Sequence, residues 1–118
     1  MNDFYKIWLE LRGATPGVWL CGISLSNQSC LGRSNDAAFP LERLPQVLRH
    51  LSEYTHNLLA QRLPAARLLW TFENARVHWA VRPDKTCLAL FTPADPAACD
   101  PSLAEELVNE FLQLDPGN

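Results

Sequence analysis

Residues 68–93 read LLWTFENARVHWAVRPDKTCLALFTP, and the alternation in this stretch decides the fold. Leu68, Trp70 and Phe72 share one face of a strand, and Val77, Trp79 and Val81 share one face of the next. Glu73-Asn74-Ala75-Arg76 is a tight turn between them. A two-residue loop at Asn74-Ala75 sets Glu73 opposite Arg76, Phe72 opposite Val77, Trp70 opposite Trp79 and Leu68 opposite Val81. Opposite-charge and aromatic neighbours of this kind are worth roughly 0.2–1 kcal/mol each. Arg82-Pro83-Asp84-Lys85-Thr86 is a second turn, with proline and aspartate in turn-favouring places. Cys87 to Thr92 is apolar on both alternating faces, as a strand covered from both sides must be. The stretch is therefore a three-strand meander.

Working outward, Val18 to Leu25 is apolar on both faces and is placed inside the same sheet. Ser26-Asn27-Gln28-Ser29 turns the chain, and Cys30 to Arg33 returns as a shorter strand. From Pro40 to about Gln61 runs a long amphipathic helix. Its residues Leu41, Leu44, Val47, Leu48, Leu51, Tyr54, Leu58 and Leu59 fall within an arc of about 140°. Pro40 and Pro45 fit only in a first turn, so the helix begins nearer Glu42 or Leu44. Asp3 to Arg12 is a helix with Phe4, Ile7, Trp8 and Leu11 as its apolar stripe, ended at Gly13 and Pro16. Asp100-Pro101 opens the last helix, striped by Leu103, Leu107, Phe111 and Leu114. The order is helix, two strands, helix, three strands, helix. Three amphipathic helices and strands apolar on both faces give an α/β (α+β) three-layer sandwich with a five-stranded, mostly antiparallel sheet.

The chain has 118 residues, 47% hydrophobic and 19% charged, which favours one folded domain over 1–118. A net charge of −3 gives no basic footprint for nucleic acid. No apolar run of about 20 residues is available to span a membrane. Met1-Asn2-Asp3-Phe4 does not begin a secretory signal, so a reducing cytoplasm is expected.

Chemistry-bearing patterns are few. There is no phosphate-binding glycine loop, no dinucleotide fingerprint, no paired-histidine zinc helix and no nucleophile elbow. Cys21, Cys30, Cys87 and Cys99 lack C-x-x-C spacing and read as small buried apolar residues. His50 and His56 point about 120° apart on the long helix and cannot share a metal. His78 reads as a partly buried, hydrogen-bonded histidine, although it and Cys87 lie on strands that can be neighbours. Trp8, Trp19, Trp70 and Trp79 read as core. Glu105, Glu106 and Glu110 read as a solvated face, and Arg62, Arg67, Arg76 and Arg82 as solubilising charge or contacts for an acidic partner. No catalytic residue, metal or cofactor is expected.

Pro16-Gly17-Val18 leading into a strand, the long amphipathic helix and the meander over 68–93 together resemble the roadblock, or dynein light-chain roadblock, family. The resemblance implies a sheet with the long helix on one face and the terminal helices on the other. It also implies pairing of two copies through an edge strand beside the long helices. The implied interface is Arg67, Leu68, Leu69, Trp70, Thr71 and Phe72, with His50, Tyr54 and Asn57 from the helix. Leu68 to Phe72 contains no proline, so its free edge invites a second strand. Such domains resemble scaffolds and regulators of Ras-like small GTPases, and motor-associated light chains, with no catalytic residue of their own. The first turn, Ser26-Asn27-Gln28-Ser29, departs from the family's aspartate- and glycine-containing form. Three rival readings remain. A small acidic secretion-type chaperone would place three strands before its long helix. A thiol enzyme would use Cys87 or Cys21, and a longin- or profilin-like module would share the architecture.

Overall fold

A computed structural model describes residues 2–25, 29–36, 41–60, 67–82 and 84–114. Its elements are α1 (Asn2–Arg12), β1 (Leu20–Ser24), β2 (Cys30–Ser34), a 3-10 turn (Leu41–Arg43), α2 (Leu44–Ala60), β3 (Arg67–Thr71), β4 (Ala75–Val81), β5 (Cys87–Pro93) and α3 (Pro101–Gln113). Pro45 occupies the first turn of α2, where the amide has no intrahelical partner. The proposed helix limits at Pro40 and Gln61 lie outside the described residues, as does the turn at Ser26-Asn27-Gln28. Asp100 caps α3 as its sequence requires, accepting the Ser102 amide at 2.9 Å ahead of Pro101.

The five strands form one antiparallel sheet in the order β2-β1-β5-β4-β3. Two strands apolar on both sides, β1 and β5, lie at its centre and are covered twice. On one face Tyr5, Trp8 and Leu9 of α1 and Leu107, Val108 and Phe111 of α3 bury Cys21, Ile23, Ala80, Leu88 and Leu90. On the other, Leu44 and Leu48 of α2 pack on Leu20, Trp79, Cys87 and Ala89. Gly22 and Gly32 are cross-strand partners on this second face, and Leu44 sits over them. A Cβ on Gly32 would stand 2.3 Å from Leu44 Cδ2, so the bare backbone seats the start of α2.

Three expectations need correction. The β3–β4 register is Leu68↔Trp79, Trp70↔Val77 and Thr71↔Arg76, two residues from the expected pairing. The cause lies in β5, whose end pairs Pro93 with Ala75 and Thr92 with Arg76, drawing both into β4. The loop then falls at Glu73-Asn74, closed by Phe72 N–H donating to Ala75 O at 2.8 Å. An even slip keeps every side chain on its face.

Secondly, α1 is rotated from its expected stripe. Tyr5, Trp8 and Leu9 are buried, whereas Ile7 and Leu11 are 58% and 71% exposed. Tyr5 and Trp8 both reach the Phe111 ring, at centroid distances of 6.2 and 5.7 Å. Burying two aromatic rings outweighs burying two aliphatic chains. Thirdly, Trp19 and Trp70 are half-buried rather than core residues, while Trp8 and Trp79 are fully inside.

Candidate functional site

Strand β3 is the free edge beside β4. Because Phe72 and Ala75 are hydrogen-bonded, the alternation of an antiparallel ladder commits Trp70 and Leu68 to β4 as well. The N–H and C=O groups of Arg67, Leu69 and Thr71 therefore point outward, unused by this sheet. That leaves three residues' worth of donors and acceptors for an added strand.

Beside this edge lies an apolar groove of about 390 Å³. Helix α2 packs chiefly over β1, so the sheet beyond it toward β3 is incompletely roofed. Val47, His50, Leu51 and Tyr54 of α2 form the wall, and Trp70, Phe72, Val77 and Phe91 form the floor. Tyr54 and Trp70 meet edge-on at 5.7 Å and 65°, the favoured geometry for two rings. Tyr54 is 49% and Phe72 58% exposed, so large apolar side chains face solvent on both sides of the groove.

Of the residues assigned to an interface from the sequence, His50, Tyr54, Trp70 and Phe72 line this groove. Leu68 packs below it in the core under α2. Arg67, Leu69 and Thr71 point to the opposite face of the sheet, toward α3, and Asn57 is exposed further along α2. Sequence reading missed Val47, Leu51, Val77 and Phe91 as groove residues. Their apolar alternation was visible, but the partial roof over them was not.

On the α3 side of β3, Arg67 pairs with Glu105 and donates from Nη1 to Asn109 Oδ1 at 2.6 Å. Glu105 also lies 3.8 Å from His78 Nδ1. Burial holds the His78 pKa below its ordinary value; Glu105 opposes that shift, and Arg76 and Arg67 add to it. His78 Nε2 is buried without a hydrogen-bond partner, contrary to the expectation of a satisfied histidine. Two acidic residues read as solvated are structural instead: Glu105 here, and Glu110, which accepts from Trp8 Nε1 at 2.8 Å and from Arg12 Nε at 3.0 Å. Arg82 is likewise not a surface cation. It is buried and donates to Phe111 O and Leu114 O, each at 2.5 Å. Arg62 lies outside the described residues.

Burial disfavours the thiolate at three of the four cysteines. Cys21, Cys87 and Cys99 are buried, Cys30 is partly so, and all four are free. Burial pushes the Cys87 pKa to about 11 and raises that of Cys21 as well. Cys87 belongs to the α2 face and His78 to the α3 face, so the sheet itself separates them. Among the described residues no cluster of His, Cys, Asp and Glu could hold a metal, and no helix is long and apolar enough to cross a membrane.

No family profile matches the chain, and no curated protein matches its sequence. Solved structures do match. Myxococcus xanthus MglB is 4% identical, with a TM-score of 0.59 over 90% of this chain and 86% of that one. A structure described as MglB with tetrameric arrangement is 12% identical, with a TM-score of 0.63 over 93% of this chain and 86% of that one. At such identities it is the backbone that corresponds, so the chain has a roadblock-like fold, shared with MglB over nearly its whole length.

Proposed function

We propose that this chain is a non-catalytic, dimeric protein-interaction module of the cytoplasm that binds and regulates a Ras-like small GTPase. The observation that carries the reading is the open β3 edge with an unroofed apolar groove beside it. A second copy related by a two-fold axis offers the same edge and the same groove, so each feature covers its counterpart. Strand addition satisfies the outward groups of Arg67, Leu69 and Thr71, and the facing grooves bury Tyr54, Trp70 and Phe72. The tetrameric arrangement named for one MglB structure supports self-association of this fold. The GTPase follows from the resemblance of the sequence to roadblock regulators. The motor-associated light chain is the other role that resemblance implies. A secretion-type chaperone is disfavoured, because two strands rather than three precede α2.

The test has two arms. Light scattering at micromolar concentration should return twice the 13.3 kDa of one chain. The immobilised protein should retain a Ras-like GTPase in a nucleotide-dependent manner from native lysate. A mass of one chain removes the dimer. Retention of a secreted effector in place of a GTPase removes the regulator.

A further inference from the structure

We propose that a second cavity, on the opposite flank of α2 from the apolar groove, binds a phosphate monoester. The cavity of about 450 Å³ lies between Arg49, Ser52 and Glu53 of α2, Ser24 and Leu25 at the end of β1, Lys85 in the β4–β5 turn and Cys87 at the start of β5. Four parts of the chain thus converge on one space. Their donors are an arginine fork, an ammonium and two hydroxyls, the groups that suit a doubly charged, oxygen-rich anion.

The charge balance favours such an anion. Arg49 and Lys85 face a single carboxylate, Glu53. None of these three side chains enters an ion pair among the described residues, whereas three other Arg–carboxylate pairs form elsewhere. Two cations therefore line the cavity with one carboxylate, which leaves one positive charge in excess. No aromatic side chain lines the cavity, so a nucleobase has nothing to stack on and the phosphoryl group is the recognised part.

Lys85 adds a second, independent sign. Its φ is 75°, the single positive φ at a non-glycine among the described residues. Its amide donates to Arg82 O at 2.9 Å, so the turn holds it there. Glycine or asparagine would occupy that conformation with less strain. A lysine kept in it places a cation among the cavity's lining residues at the expense of the backbone, as strained residues at ligand sites do. The cavity also lies away from the β3 edge, so self-association through that edge leaves it open.

The full chain is titrated with sodium phosphate, with sodium chloride at matched ionic strength as the control, and amide shifts are followed by nuclear magnetic resonance. Saturable shifts at Arg49, Ser52 and Lys85 with millimolar affinity are expected. O-phosphoserine and glycerol 3-phosphate form the second arm. Tighter binding of the first assigns a phosphorylated protein side chain as the source, and tighter binding of the second a lipid or metabolite headgroup. Lys85→Gly relieves the backbone while removing the charge, so thermal stability should hold or rise as phosphate affinity falls about tenfold. Arg49→Gln, on an exposed helix position, should lose affinity to a similar degree. Shifts no larger than those with chloride overturn the proposal, and so does unchanged affinity in both variants.

Discussion

At the scale of single residues, the fold leans on polar side chains that composition would place on the surface. Arg82 is the clearest. Its two bonds to the last carbonyls of α3 satisfy groups that the helix leaves open and oppose the negative end of its dipole. The guanidinium also lies 5.8 and 5.6 Å from the Tyr5 and Phe111 ring centroids. Arg82→Ala should cost about 2–4 kcal/mol in urea unfolding, and Arg82→Lys should recover little, because an ammonium cannot bridge two carbonyls as a planar fork does. His78 predicts a pH dependence. Its folded pKa lies below the unfolded value of 6.5, so the unfolded chain binds the proton more readily. Stability is then full above that unfolded value and falls as pH drops below it. Urea midpoints compared at about pH 7.5 and about pH 5 should show this loss, and His78→Gln should flatten it.

At the scale of elements, the ladder geometry yields a paired test on β3. The Leu69 amide points outward, whereas those of Leu68 and Trp70 serve β4. Proline is tolerated in an edge strand only where the missing N–H faces away from the sheet. Leu69→Pro should therefore leave a folded monomer, with native circular dichroism and half the dimer mass by light scattering. Trp70→Pro should break the hairpin itself. A folded dimer after Leu69→Pro would remove β3 from the interface. The Gly22–Gly32 trough supplies another check: Gly32→Val drives methyls into Leu44 and should lower stability by about 1–3 kcal/mol, read in the same urea assay.

How much of this was legible in the chain differs by element. The meander, its faces and the capped start of α3 were readable, because alternation and Asp100-Pro101 are local signals. The hairpin register was not, since Ala75 and Arg76 are captured by Pro93 and Thr92, contacts made across the next turn. The rotation of α1 was hidden for the same reason: it is Phe111, about a hundred positions away in sequence, that selects Tyr5 and Trp8 over Ile7 and Leu11. The candidate groove was half-legible. His50, Tyr54, Trp70 and Phe72 could be named from pattern, but the vacancy they border depends on where α2 sits over the sheet.

At the scale of the whole molecule, two layers of helix cover one sheet unequally. Helices α1 and α3 share one face, while α2 alone covers the other and leaves a groove on one flank and a second cavity on its opposite flank. If a second copy fills the groove, folding is coupled to assembly by mass action. The melting temperature should then rise with protein concentration, and this rise should vanish in Leu69→Pro. A melting temperature independent of concentration in the parent chain would separate the fold from its proposed pairing.

The four free thiols turn this architecture into its own gauge of opening. Cys21 is fully enclosed at the centre of the sheet, whereas Cys30 sits partly exposed on the edge strand β2. A thiol-specific reagent should modify Cys30 in the native state but reach Cys21 only through global unfolding. The ratio of the two labelling rates, followed by mass spectrometry, measures how often the sheet comes apart without any added probe.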